Sequence, residues 1–197
     1  MYTTPPKDED GADVFIENVL NGNRSWMANY RLPLVNGSAK AVVLTCMDSR
    51  IPPLEMLGLA PGEVFIIRNA GNSITHDTLR SLLICLTVMD CRNVLVVGHS
   101  SCGMRSSGGL DERVASAVNV DALSDVLDED ITDARSWLGF YEPHEREWAM
   151  GQAAALREIV KKVMPGLSVR VRSALYHLED GRLEMLDQLP QNRTMSP

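Results

Sequence analysis

The stretch Asn93-Val94-Leu95-Val96-Val97-Gly98-His99-Ser100-Ser101-Cys102-Gly103 decides how the chain folds. It opens on a short run rich in β-branched side chains and closed by glycine. Such a run reads as a buried strand rather than a helix. His99 and Cys102 therefore sit just past a strand's carboxyl end. A second run of the same kind, Ala41-Val42-Val43-Leu44-Thr45, leads into Cys46-Met47-Asp48-Ser49-Arg50. Two cysteines, a histidine and an aspartate thus emerge at the ends of two strands.

Between the two runs, Pro52-Pro53 breaks the chain and residues 54–58 make a short helix. Pro61-Gly62 turns into a strand over 63–67. Arg68-Asn69-Ala70-Gly71-Asn72 then reads as a loop whose small residues permit close approach of the backbone. Thr75 caps a helix reaching Met89, with Leu79, Leu82, Leu83, Leu86 and Met89 at the spacing of a buried face. Cys85 and Cys91 read as packing thiols.

Beyond the opening stretch, residues 104–119 read as a mobile polar loop and 121–133 as a solvated acidic helical face. Pro143 starts a long helix through Val163. Residues 168–178 form a strand, and Glu179-Asp180-Gly181 turns it into an antiparallel partner over 182–186. Residues 1–12 read as a flexible arm, 13–22 as a helix stopped by Asn21-Gly22-Asn23, and 188–197 as a frayed tail.

Strands alternating with helices give an α/β fold. The expectation is one domain over 1–197, with a mostly parallel central sheet of about five strands, helices on both faces, and the last strand antiparallel. Sheets of this kind place their sites where neighbouring connections diverge at the strands' carboxyl ends. If the strands ending at Cys46 and His99 are neighbours, that rule brings the four polar residues together.

The bulk composition is that of a soluble globular protein: 197 residues, 45% hydrophobic and 23% charged. A net charge of −7 with no basic stripe argues against a nucleic-acid partner. The first ten residues have no apolar core of a secretory signal, and no apolar run approaches membrane-spanning length. A cytoplasmic location with four reduced cysteines is the expectation.

Thiolate, imidazole and carboxylate are all zinc ligands, and two Cys with one His leave a fourth position open, as catalytic zinc sites do. The metal set is expected to be Cys46, His99 and Cys102, with Asp48 either joining it or accepting a proton beside it. Alternation along an extended segment sends Cys46 and Asp48 to one side. Arg50 lies in reach to hold that carboxylate by two hydrogen bonds. Gly98 to Gly103 has the glycine spacing of a phosphate loop, but Met104 stands where such a loop needs lysine. His76, His144 and His177 read as surface or capping residues, and Trp26, Trp137 and Trp148 as packing.

Cys46-x-Asp48-Ser49-Arg50, then Arg68-Asn69-Ala70-Gly71-Asn72, then His99-x-x-Cys102-Gly103 together resemble the β-class carbonic anhydrases, most closely their small bacterial subgroup. The likeness is strong from Ala41 to Met104 and weaker over Ala174–Leu183. It implies Zn2+ on Cys46, His99 and Cys102, with an Asp48–Arg50 catalytic dyad and Asp48 as an alternative fourth ligand. Zinc hydroxide would attack carbon dioxide to give bicarbonate and a proton. Ala70, Gly71 and Gly103 are expected around the small-molecule substrate. The subgroup also resembles hydrolases of carbonyl sulfide and carbon disulfide, which is the alternative activity. The resemblance further implies a homodimer or dimer of dimers, with the N-terminal helix embracing the partner.

Overall fold

Five strands, β1 (Ala41–Cys46), β2 (Phe65–Asn69), β3 (Asn93–His99), β4 (Arg170–Tyr176) and β5 (Leu183–Met185), form one sheet in the order β2-β1-β3-β4-β5. All neighbouring pairs are parallel except β4 with β5. The helices are α1 (Glu9–Asn29), α2 (His76–Thr87), α3 (Leu110–Ala117), α4 (Val120–Leu127), α5 (Ala134–Leu138) and α6 (Glu145–Val163). This computed structural model describes residues 9–30, 39–106 and 109–187. The arm over 1–8, the turn signals over 31–38 and the tail over 188–197 lie outside them. The chain divides into two compact units, Met1–Leu34 and Val35–Pro197.

In the larger unit, alternation along the strands builds two apolar clusters. Val42 and Leu44 of β1, Val94 and Val96 of β3 and Val171 of β4 pack with Leu82, Cys85 and Leu86 of α2 and Ala153, Leu156 and Val160 of α6. Val43, Val97 and Ala174 point the other way, toward Ile51, Val64, Tyr141 and both site cysteines. Each fully buried Leu or Val contributes roughly 1.5–3 kcal/mol relative to exposure. The buried Thr45 hydroxyl donates to the Val97 carbonyl at 3.1 Å and so joins β1 to β3.

From β1 the chain crosses to β2 on one side, and β3 lies on the other. The ends of β1 and β3 therefore flank the point where connections diverge, and the two strands are neighbours as anticipated.

Gly98 shows how tightly the sheet end is closed. A Cβ there would lie 3.1 Å from Ala149 Cβ and 3.2 Å from the Glu145 carbonyl oxygen, so only glycine lets α6 sit this close to β3.

Several boundaries differ from the expectation. The strand expected over 63–67 is β2, Phe65–Asn69, so Arg68 and Asn69 are strand residues. Residues 104–119 are not one loop, because α3 occupies Leu110–Ala117 behind a left-handed Gly109. α2 stops at Thr87: Asp90 takes a positive φ of 55°, and the Cys91 N–H closes back on the Cys85 carbonyl at 3.0 Å. α1, taken by itself, runs from Glu9 to Asn29 rather than 13–22. Gly22 costs that helix about 1 kcal/mol and does not end it. Asn21 accepts from the Arg24 side chain, and its carbonyl from the Ser25 hydroxyl, so it bonds within the helix instead of capping it.

Candidate metal centre

The ends of β1 and β3 bring Cys46, His99 and Cys102 together, their ligand atoms all within 4.8 Å of one another and all three residues buried. His99 is the last residue of β3, and Cys102 follows a tight turn in which Ser101 holds a left-handed φ of 55°. The His99 Nδ1 faces the Ser100 carbonyl oxygen at 2.9 Å. A proton on Nδ1 satisfies that carbonyl and leaves the Nε2 lone pair free. Nε2 is buried and has no hydrogen-bond partner among the described residues. An orphaned imidazole nitrogen beside two sulfurs is costly in an apolar interior unless a metal takes it. The residues present fit a metal ion.

Main-chain donors surround the sulfurs. The N–H groups of Gly71 and Asp48 are directed at Cys46, and that of Met104 at Cys102. The Cys102 sulfur beside it holds the Cys46 thiol well below its usual range, while the same contact and burial push Cys102 up. The Tyr141 hydroxyl donates to Cys102 and opposes that rise. Burial, and then this bond, push the Tyr141 phenol up.

Asp48 lies outside the three-ligand cluster, its Oδ2 4.0 Å from His99 Nε2. Arg50 grips it from two atoms, Nε to Oδ1 at 2.9 Å and Nη2 to Oδ2 at 2.7 Å. The Arg50 N–H adds a third bond to Oδ1 at 2.9 Å. These donors hold the Asp48 carboxyl down at about 2. Arg68 ties the same loop from beneath, donating to the carbonyls of Cys46 at 3.1 Å and Asp48 at 2.6 Å.

Of the residues expected around a substrate, Ala70 and Gly103 are half-buried beside the centre. Gly71 is buried in a left-handed turn at φ 72°, where a Cβ would meet Met104 and Tyr141. Its N–H faces Cys46 and its carbonyl accepts from Trp148 Nε1 at 2.7 Å, so its backbone serves the centre. His144 caps α6 by accepting from the Arg146 N–H, while His177 instead bonds Glu184 Oε2 at 2.9 Å.

Tyr141 and the Trp148 indole were not legible as site residues, and Arg68 was marked only as part of its motif. Tyr141 lies far along the chain from either ligand segment and carries no motif. Only its polar tip before a helix start hints that its hydroxyl has a buried partner.

The sequence model of the carbonic anhydrase family matches residues 41–183. Beta-carbonic anhydrase 1 of Mycobacterium tuberculosis (strain ATCC 25618 / H37Rv) is 34% identical over 89 residues, 45% of this chain and 55% of that protein. The chain thus spans about half the length of that curated relative. Carbon disulfide hydrolase of Acidianus sp. (strain A1-3) is 30% identical over 200 residues, covering 91% of this chain and 94% of its own. The crystal structure of carbonic anhydrase from Streptococcus mutans shares the fold with a TM-score of 0.66, over 95% of this chain and 100% of that one, at 24% identity. With the match running from β1 to the first residue of β5 and enclosing both ligand segments, the chain belongs to the β-class carbonic anhydrase family.

Proposed function

We propose that this protein catalyses the reversible hydration of carbon dioxide to bicarbonate and a proton, with zinc held by Cys46, His99 and Cys102. The observation that carries the reading is the buried, unpartnered His99 Nε2 within 4.8 Å of both cysteine sulfurs. Zinc, when bound, supplies a Lewis acid that lowers the pKa of water toward neutrality. Two thiolates and one imidazole leave a fourth position, and Arg50 keeps the Asp48 carboxylate away from it. Held ionised near pH 7, Asp48 can orient a water and take up its proton first. So weak a base hands that proton on to solvent. The Ser100 carbonyl fixes the His99 tautomer, as partners of ligating histidines do. Ala70 and Gly103 are proposed to border the substrate.

Stopped-flow hydration of carbon dioxide by zinc-loaded protein tests the reading. Absence of activity across pH 6–9 in protein with one zinc per chain overturns it.

One observation favours a second reading. The carbon disulfide hydrolase is similar along 91% of this chain and 94% of its own. The same residues would then act on carbon disulfide or carbonyl sulfide. Sulfide release measured in parallel with carbon dioxide hydration separates the two.

The proposal extends to a cytoplasmic homodimer or dimer of dimers. The cysteines are all unpaired, and no helix among the described residues is long and apolar enough to cross a membrane. α1 exposes Val14, Phe15, Ile16, Val19, Trp26 and Met27, a face that calls for a partner. Light scattering at micromolar concentration checks it: a mass of one chain overturns it.

A further inference from the structure

We propose that Ser100 is a positioning residue of the metal centre: its hydroxyl anchors the turn His99–Cys102 to the connection between β4 and β5, and so holds the Ser100 carbonyl against the His99 ring. This deepens the metal-centre reading and rests on it.

The hydroxyl both donates and accepts. It donates to Glu179 Oε2 at 2.9 Å and accepts from the Leu178 N–H at 3.0 Å. The Ser100 N–H donates to the Tyr176 carbonyl at 3.0 Å, one step beyond the last register pair of β3 and β4, His99 with Tyr176. Three bonds thus fix this one residue to the segment over 176–179. Its remaining polar group, the carbonyl, faces His99 Nδ1 at 2.9 Å.

The receiving segment is itself well held. The His177 N–H donates to the Arg182 carbonyl at 2.9 Å, the Gly181 N–H donates to the His177 carbonyl at 2.8 Å, and His177 Nε2 lies 2.9 Å from Glu184 Oε2. A braced hairpin, far along the chain from both ligand segments, therefore backs the ligand turn.

The next residue shows why the turn needs an anchor. Ser101 holds a left-handed φ of 55°, which a non-glycine residue keeps only where its surroundings impose it. The turn is clamped on both sides of that residue. The Ser100 hydroxyl holds it from the β4 side, and Arg50 Nη2 holds it from the β1 side by donating to the Ser101 carbonyl at 3.2 Å. Without the first clamp the Ser100 carbonyl is free to turn from His99, and the imidazole loses the partner that sets its plane. Partners of this kind orient metal ligands, and their loss typically costs about 10–100-fold in metal affinity or activity. Alanine at position 100 keeps the backbone bond to Tyr176 and drops only the two made by the hydroxyl.

The test compares Ser100→Ala and Ser100→Thr with the unaltered protein in two measurements. Zinc affinity is read by competition with a chromophoric chelator. The His99 Nδ1–H is read by proton NMR after loading with cobalt(II), which moves a ligand imidazole N–H out of the crowded region, and its exchange with solvent is followed by saturation transfer. Ser100→Ala is expected to speed that exchange and to lower zinc affinity about 10-fold or more. Threonine keeps the hydroxyl and should restore both. Unchanged exchange in Ser100→Ala overturns the proposal, whatever the affinity does, because a merely structural role would lower stability without baring the imidazole N–H. A threonine variant that exchanges as fast as the alanine one overturns it too. Should Ser100→Ala fail to fold, Glu179→Ala removes the more exposed of the two hydroxyl bonds and should speed exchange less but in the same sense; no change overturns the proposal. Cobalt-loaded protein with no shifted imidazole N–H at all overturns the metal-centre reading itself, and a resonance indifferent to the substitutions overturns only the role of Ser100.

Discussion

Arg50 and Asp48 form a two-point fork, with Nε to Oδ1 at 2.9 Å and Nη2 to Oδ2 at 2.7 Å, and Arg50 Nη2 also reaches the Ser101 carbonyl at 3.2 Å. The fork therefore joins the loop after β1 to the turn that carries Cys102. A lysine could supply the charge but not both bonds and the planar geometry. Asp48→Ala and Arg50→Ala are expected to lose about 100-fold or more in carbon dioxide hydration while retaining one zinc per chain. Stopped-flow rates with metal analysis on the same samples check this, and loss of zinc along with rate would contradict it.

Metal removal should loosen the larger unit. Cys46, His99 and Cys102 join separate segments, and a ligand that binds only the folded state stabilises it by about 2.7 kcal/mol at 100 times its Kd. Exhaustive chelation is expected to lower Tm by several degrees, and zinc to restore it.

Gly98→Ala places a methyl 3.1 Å from Ala149 Cβ and 3.2 Å from the Glu145 carbonyl, and the second of these is backbone that a rotamer change cannot move. Overpacking of this kind costs roughly 1–3 kcal/mol. Urea denaturation should show the loss, with zinc content also reduced because His99 is the next residue.

Leu156→Ala acts elsewhere. Leu156 is fully buried between α6 and the sheet, in the cluster remote from the metal ligands. The expected loss is about 2–5 kcal/mol. Zinc affinity measured well below Tm should be unchanged.

Glu184 carries an acid-sensitive contribution. Arg146 at 2.7 Å, then His177 at 2.9 Å, hold its carboxyl down at about 2 from an ordinary 4.5. A depressed carboxyl stabilises the fold above its unfolded value and loses that contribution as pH falls through its folded value. Glu184→Gln should therefore be less stable than the unaltered apoprotein at pH 7, and the difference should shrink between pH 4.5 and 2. Denaturation midpoints at pH 7, 4.5, 3 and 2 read it directly.

What the sequence made legible is what short-range chemistry governs. The run Ala41–Cys46 matches β1 residue for residue, because consecutive β-branched and apolar residues closed by polar ones leave few alternatives. The grouping of Cys46, His99 and Cys102 and the Asp48–Arg50 pairing followed from motif spacing and the rule for parallel sheets. The strand expected over 63–67 begins two residues early because Glu63 and Val64 look like strand beginnings, yet the hydrogen-bond register with β1 starts at Phe65. α3 was hidden by polar side chains on an exposed helix with a weak apolar stripe. Tyr141 was hidden more deeply. Its burial against Trp148 depends on α6 approaching the sheet end, which Gly98 permits but which no local pattern reveals.

The neighbouring strands that carry Cys46 and His99 are far apart along the polypeptide, with β2 and α2 threaded between them. No short peptide from this chain contains a full set of ligands, so an ion cannot template local order as it does in a zinc finger. With zinc bound as proposed, the slow, entropically opposed closure of β1 against β3 would come first, and capture of the ion would follow as a seal on finished topology. Refolding without metal should then reach the native sheet at much the same rate as refolding with it.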